Sequence, residues 1–472
     1  MLQFFKSALL TRLFVLLLLL LALRLPLLWW GLPLMPAELR EMLIGERLQA
    51  GGYLYRDLYD STAPLAAALA GLLELVGSRP LWLYRLLALV LLTFQALRFN
   101  FVLNRADVHP ERGYVAALVY LLIGSLSTDL DILSPLLLGH TFLIAGFSAL
   151  LPTSREGYDN RRLFRAGFLI GVAALCYLPL ALFLLLALFA VLIFAANSFR
   201  SFLLLVCGFL FPYAVVGTFF LYTDSLPGFA QFHLRPTLSG LVAGADGLPL
   251  AVQLRLLLLP GVVLLAGLVR SFVLPPGLVF QVKFQQLMLV WLLVAGLMAA
   301  AGRGVAPGTL VLALPPLTYF SLYLWQKTQR AWIPELALLA LTGAVLVVRY
   351  RSALFLENVL QLPLESHYAV RPNPRYAFLQ GQHLLVLGPD MRPYAQNQLA
   401  TPYLDWQLAQ ADFGHLNRYD AIFRLARNVQ SDPPRYLIDQ RGLVPELQYK
   451  IPGVFGRYEA TNTKGVYRLK GE

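Results

Sequence analysis

Glu38, Glu41, Glu46, Asp57 and Asp60 crowd into one short stretch with Arg40, Arg47 and Arg56, directly after the first long apolar run. A carboxylate held at a membrane surface beside a lipid-facing cleft can take a proton from an acceptor hydroxyl, because partial desolvation raises its pKa toward neutrality. The competing reading makes these residues the solvated faces of two interfacial helices. A second pair, Asp129 and Asp131, lies in the loop Ser127 to Ser134 with no basic residue near it in sequence. Two carboxylates one residue apart can bind a divalent cation, Mg²⁺ or Mn²⁺, that bridges a phosphate. They can equally end a helix and keep its loop wet. Arg85, just inside an apolar run, can hold a lipid-linked phosphate, pair with a loop carboxylate or snorkel to the interface. His233 and Arg235 in QFHLRP can reach a pyrophosphate, and His140, within an apolar run, suits a polar contact between helices. Arg24 finds no role from its neighbours in sequence.

These residues must be positioned by a membrane protein. Of the 472 residues 58% are hydrophobic and only 14% charged, against roughly 25% charged in soluble domains. That excludes a water-soluble globule. The net charge of +12 comes from 38 basic and 26 acidic residues. Most arginines sit in short clusters between apolar runs, a pattern of membrane topology and not of nucleic-acid binding. Cys176 and Cys207 both lie inside apolar runs, so neither a disulfide framework nor a thiolate metal site is legible. The leucine run after Lys6 and Arg12 continues through Trp29 and Trp30 without a small-residue cleavage site, which favours an uncleaved first span over a signal peptide.

A hydrocarbon core of roughly 30 Å needs about 20 apolar residues per helix. By that ruler the chain has about eleven spans, near 12–34, 81–103, 113–128, 132–151, 164–178, 179–197, 201–223, 250–269, 285–301, 308–325 and 332–348. The run from Phe164 to Asn197 is divided at Tyr177–Pro179, since proline breaks a helix. Cytoplasmic loops carry the Lys/Arg excess. Arg98, Arg105 and Arg112, then Arg155, Arg161, Arg162 and Arg165, then Arg200, Arg270, Lys283, Lys327 and Arg330 fall on one side together with Lys6 and Arg12. The N-terminus is then cytoplasmic and the tail periplasmic, in a bacterial inner membrane. Ala63 to Gly77 is apolar but short and carries Glu74. Counting it as a span would turn the four-arginine loop outward, so it is read as an interfacial helix within an outer loop 35–80. The membrane domain covers 1–348. The tail, 349–472, reads as a small α/β domain, with strands at His383–Gly388 and Arg435–Asp439, a helix at Tyr419–Val429 and a hairpin over Gly456–Lys470. It carries no nucleotide fingerprint, serine elbow or histidine pair, which leaves docking or covering as its role.

From Glu38 the chain runs through GERLQAGGYLYRDLYDSTAPLAAALAGLLELVG to Arg85 at the head of the next span. This resembles the start of the GT-C superfamily of polytopic glycosyltransferases, especially families related to the protein O-mannosyltransferases and the lipid A aminoarabinose transferase. Gly51 and Gly52, Tyr55 to Asp57, Pro64 with Leu65, and Arg85 carry the likeness. The resemblance implies a GT-C-like polytopic helical fold with interfacial jaw helices and an extracytoplasmic C-terminal domain. It also implies inverting transfer of a sugar from a polyprenyl-phosphate donor to a protein, glycan or lipid acceptor at the outer face. Glu38 would then be the base, Asp57 and Asp60 would orient it or the acceptor, and Arg85 would neutralise the donor phosphate. Relatives carry an Asp-Glu pair just after the first span where this chain has Ala37 and Glu38. That departure keeps a second reading open, a non-catalytic GT-C-like scaffold subunit of a larger cell-envelope complex. A transporter ranks last, for want of an inverted repeat of broken helices.

Overall fold

Leucine-rich segments that are apolar on every side satisfy their backbone internally as helices and leave side chains for lipid. The computed structural model describes residues 1–7, 9–108, 113–151, 160–194, 199–238, 250–274, 277–301, 307–326, 330, 332–362 and 369–471. Arg112, Arg155 and Lys327 of the basic loops lie outside them. The chain forms two units: Met1–Leu32, Trp82–Val215 and Leu238–His367 make the first, and Pro33–Leu81, Val216–Thr237 and Tyr368–Glu472 the second.

The principal helices are α1 (Leu10–Trp30), α2 (Pro36–Gln49), α3 (Pro64–Glu74), α4 (Leu81–Arg105), α5 (Val115–Gly124), α6 (Pro135–Leu150), α7 (Asn160–Cys176), α8 (Phe183–Phe194), α9 (Phe199–Tyr222), α10 (Leu250–Val273), α11 (Val279–Ala301), α12 (Leu310–Ser321) and α13 (Trp332–Arg349). Without α2 and α3, these are the eleven expected spans. Among the described residues six helices are long and apolar enough to cross a membrane by themselves: α1, α4, α9, α10, α11 and α13. The others are shorter. The expected break at Tyr177–Pro179 is a 3₁₀ turn, Leu178–Leu182, between α7 and α8.

Polar contacts fix which helix ends share a face of unit one. Arg24 in α1, Asp131 after α5 and Arg349 at the end of α13 form a buried ion triad, each guanidinium 2.7 Å from one carboxylate oxygen. The C-terminal ends of the first, third and eleventh helices of the series are therefore together. At the other end the Met1 amine lies 3.0 Å from Glu335 at the start of α13. There the Tyr114 N–H, before α5, donates to Phe5 O at 2.8 Å, and Gln281 Nε2 in α11 donates to Asp107 O after α4 at 3.0 Å. α3 has eleven residues and a length of about 16 Å.

α7 and α9 touch through backbone. A Cβ at Gly167 would collide with Leu205 O, and one at Gly208 with Phe164 O, the small-residue contact by which membrane helices approach closely. Gly167→Leu is expected to cost about 1–3 kcal/mol by overpacking; an unchanged thermal unfolding midpoint in detergent would contradict this contact.

In unit two α2 packs on α3. The tail supplies a five-stranded sheet in the order β2-β1-β3-β5-β4, built from β1 (His383–Leu387), β2 (Gln398–Leu399), β3 (Tyr436–Asp439), β4 (Tyr458–Ala460) and β5 (Val466–Leu469). β1 is parallel to β2 and β3, and β5 is antiparallel to β3 and β4. Leu385, Leu437, Leu425, Val429 and Phe455 centre its core, with α14 (Trp406–Phe413) and α15 (Tyr419–Ser431) beside the sheet.

Candidate functional site

Unit two gathers the acidic stretch around one guanidinium. Pro36 opens α2, and three residues into it Glu38 accepts the Met35 N–H at 3.0 Å. Glu38 is wholly buried, so the residue expected to act as base caps the helix. Two residues on, Arg40 donates from Nε to Asp60 Oδ2 at 2.8 Å and from Nη2 to Asp405 Oδ2 at 2.6 Å and Ser61 Oγ at 3.2 Å. Asp60, also fully buried, accepts the Thr62 N–H at 2.7 Å through its other oxygen, which fixes the turn. Asp405 is the N-cap of α14, accepting from Gln407 and Leu408 N–H.

Glu41 completes the cluster. It is only 7% exposed, and its carboxyl has no hydrogen bond or ion pair among the described residues. Burial, then the nearby Asp60 charge, raise its pKa from 4.5 to about 8 against the opposing effect of Arg40. A carboxyl poised there exchanges a proton near neutral pH, the property a general base needs. Nothing in the sequence distinguished Glu41 from its acidic neighbours. Asp405 had no signal as a site residue beyond its capping position.

Asp57 is not part of this cluster. Its carboxylate accepts the Tyr53 N–H at 2.8 Å and pairs with Arg56 at 3.0 Å, and these contacts hold its pKa below the usual range against partial burial. His233 does come to the first loop: its Nδ1 lies 3.2 Å from Ser61 O, and its ring stacks on Phe229 and lies beside Tyr55. Burial lowers its pKa, so the imidazole is neutral and, with Nδ1 donating to that carbonyl, presents a lone pair at Nε2. It brings no positive charge to a pyrophosphate. Arg235 is exposed.

The tail is fastened to the same loop. Arg79 pairs with Glu46 at 2.7 Å and donates to the carbonyls of Tyr394, Ala395 and Asn397, and Arg47 pairs with Asp432 at 2.7 Å. Tyr59 stacks on Phe232 with ring centroids 4.4 Å apart, and its N–H donates to Pro402 O at 2.7 Å. On another face of α2 a cavity of about 320 Å³ is lined by Glu46, Arg47, Glu74, Ser78, His383 and Gln398. Its carboxylates Glu46 and Glu74 are engaged by Arg79.

In unit one Arg85 is buried and donates from Nη1 to Leu32 O at 2.9 Å, just past the end of α1. The Asp129 and Asp131 pair does not suit a divalent cation. Both oxygens of Asp131 already face guanidiniums, Arg24 and Arg349, and a cation would enter beside two fixed positive charges. Among the described residues no group of three or more His, Cys, Asp or Glu has the arrangement of a metal site. The absence of basic residues in the surrounding sequence is thus reversed in space. Arg24 acquires its role here, with Nη2 donating to Gly124 O at 2.8 Å and Nε to Ser125 Oγ at 3.2 Å. His140 meets Gln95 Oε1 at 3.0 Å, the expected contact between helices.

No protein-family profile and no curated protein matches the sequence. Among solved structures, the chain is similar to ArnT from Cupriavidus metallidurans bound to undecaprenyl phosphate, with a TM-score of 0.60 at 14% identity over 96% of this chain and 97% of that one. It is also similar to the Archaeoglobus fulgidus oligosaccharyltransferase tethered with an acceptor peptide, with a TM-score of 0.47 at 13% identity over 98% of this chain and 74% of that one.

Proposed function

We propose that this chain, a polytopic membrane protein with the GT-C fold, is a glycosyltransferase that moves a sugar from a polyprenyl-phosphate donor to an acceptor at the outer face of a bacterial inner membrane. The observation that carries the reading is Glu41, a buried carboxyl with no hydrogen bond or ion pair among the described residues, beside the Arg40, Asp60 and Asp405 network. In this mechanism Glu41 takes the proton of the acceptor as its oxygen or nitrogen attacks the anomeric carbon from the face opposite the departing lipid phosphate. The configuration inverts. Asp60 and Arg40 position Glu41, and Glu38 holds the start of α2. The geometry supports Glu41 over Glu38 as base because the Glu38 carboxylate is already spent on the Met35 N–H.

The arginine-rich ends of unit one support a cytoplasmic N-terminus and a periplasmic tail. A cysteine replacing the exposed Tyr449 should react with a membrane-impermeant maleimide in cells with a permeabilised outer membrane. Protection until the inner membrane is lysed would overturn the orientation. To test the activity, lipid extracts from cells carrying Glu41→Gln as the sole copy are compared with wild type by mass spectrometry. Accumulation of a glycosylated polyprenyl phosphate is expected; unchanged lipid-linked sugars would count against transfer.

A second reading, a scaffold subunit, draws on Ala37 before Glu38 and on the pairing of Asp57 with Arg56 and Asp60 with Arg40. It predicts stoichiometric protein partners and indifference to Glu41→Gln.

A further inference from the structure

At the end of unit one away from the Arg24–Asp131–Arg349 triad lies a cavity of about 350 Å³, large enough for a small ligand or head group. Arg98 and Arg105 of α4 and Arg162 and Arg165 of α7 line it, with Asp107 as the acidic residue of its wall. The first two arginines are seven positions apart and the second two are three apart, so each helix turns its pair to a single face. Two cationic ridges thus confront each other across a concave space with apolar walls. Such a geometry focuses positive potential and concentrates anions. Arg98 is held in place by a 2.7 Å hydrogen bond to Ser148 Oγ and lies 5.6 Å from the Phe101 ring centroid.

We propose that this cavity is a phosphate-binding site whose occupant is the head group of an anionic phospholipid. Planar guanidinium forks match phosphate oxygens. The lining also includes Phe101, Leu151, Leu278 and Phe280, apolar surface that an acyl chain covers and free phosphate does not. Basic pockets between membrane helices take such head groups. The site shares no residue with the acidic cluster of unit two and stands whether or not that cluster transfers sugar.

The test uses the full-length protein in phosphatidylcholine nanodiscs, titrated with phosphatidylglycerol or with inorganic phosphate and read by native mass spectrometry and thermal unfolding. Arg105→Gln and Arg165→Gln, alone and together, change exposed side chains, and Arg200→Gln, at an exposed arginine outside the cavity, controls for general charge. Phosphatidylglycerol should be retained and raise the unfolding temperature. The double variant should bind it at least about tenfold more weakly, and Arg200→Gln should match wild type. Resistance to millimolar inorganic phosphate supports the lipid as the source. Displacement by phosphate, equally lost in the double variant, supports the same site filled from solution. Equal retention of phosphatidylcholine, an unaffected double variant, or an equal loss in Arg200→Gln would each overturn the proposal.

Discussion

Exchanging Glu41 for glutamine is expected to lower sugar transfer by about 10²- to 10⁴-fold, the usual contribution of a positioned base, with the fold intact. The amide has the shape of the protonated acid, and a pKa of about 8 means that the native protein already carries that proton at neutral pH. Rate and stability should therefore respond to pH in opposite directions. Transfer in the wild type should rise with pH toward a limb near 8, as the basic form appears. The folded state binds this proton more tightly than the unfolded chain, whose carboxyl titrates near 4.5. Between those values the native state holds more protons, so this group's contribution to stability is full below about 4.5 and declines as pH approaches 8. Glu41→Gln should remove both trends. Asp60→Asn is a less clean test, because it also leaves Arg40 without a buried partner. Full activity in Glu41→Gln, with an unchanged pH profile, would remove this residue from the chemistry.

Asp131→Asn should be the most destabilising single-atom-scale change in unit one, costing about 3–5 kcal/mol, the usual loss when one partner of a buried ion pair is removed. The wild-type triad already holds two guanidiniums against one carboxylate, all three side chains almost fully enclosed. The remaining positive charge is offset by carbonyl oxygens: Gly124 and Leu130 accept from Arg24, and Ser125 and Leu23 from Arg349. Gly124 lies at the C-terminus of α5, where helix carbonyls carry partial negative charge. Asparagine would leave both arginines to these dipoles alone. Thermal unfolding in detergent would show a large drop, and adding Mg²⁺ or Mn²⁺ should not restore wild-type stability or protect the wild type further. A variant that melts like the parent would mean that the triad does not hold α1, α5 and α13 together. A wild type stabilised by either cation, with the effect lost in Asp131→Asn, would reinstate the carboxylate pair as a metal site.

The order of the apolar helices and the strands of the tail were legible in the sequence because each rests on local chemistry. Apolar length selects a helix long enough to span, and Gly, Pro and Asp bound a strand. The acidic loop was legible as a place, since Glu38 to Asp60 is dense in carboxylates. Which carboxylate does what was not. Glu38, Glu41 and Asp60 differ in their surroundings: Glu38 accepts a backbone N–H three residues back, Asp60 pairs with a guanidinium twenty residues away, and Glu41 has no hydrogen bond or ion pair among the described residues. The same limit applied to Asp131, whose counter-ions Arg24 and Arg349 lie more than a hundred positions away on either side, and to Arg40, which meets Asp405 across 365 residues. Residue type and spacing determined which groups were available for chemistry. Only tertiary packing decided which are desolvated and which are neutralised, because burial and ion pairing act through space and set the free energy of a charge.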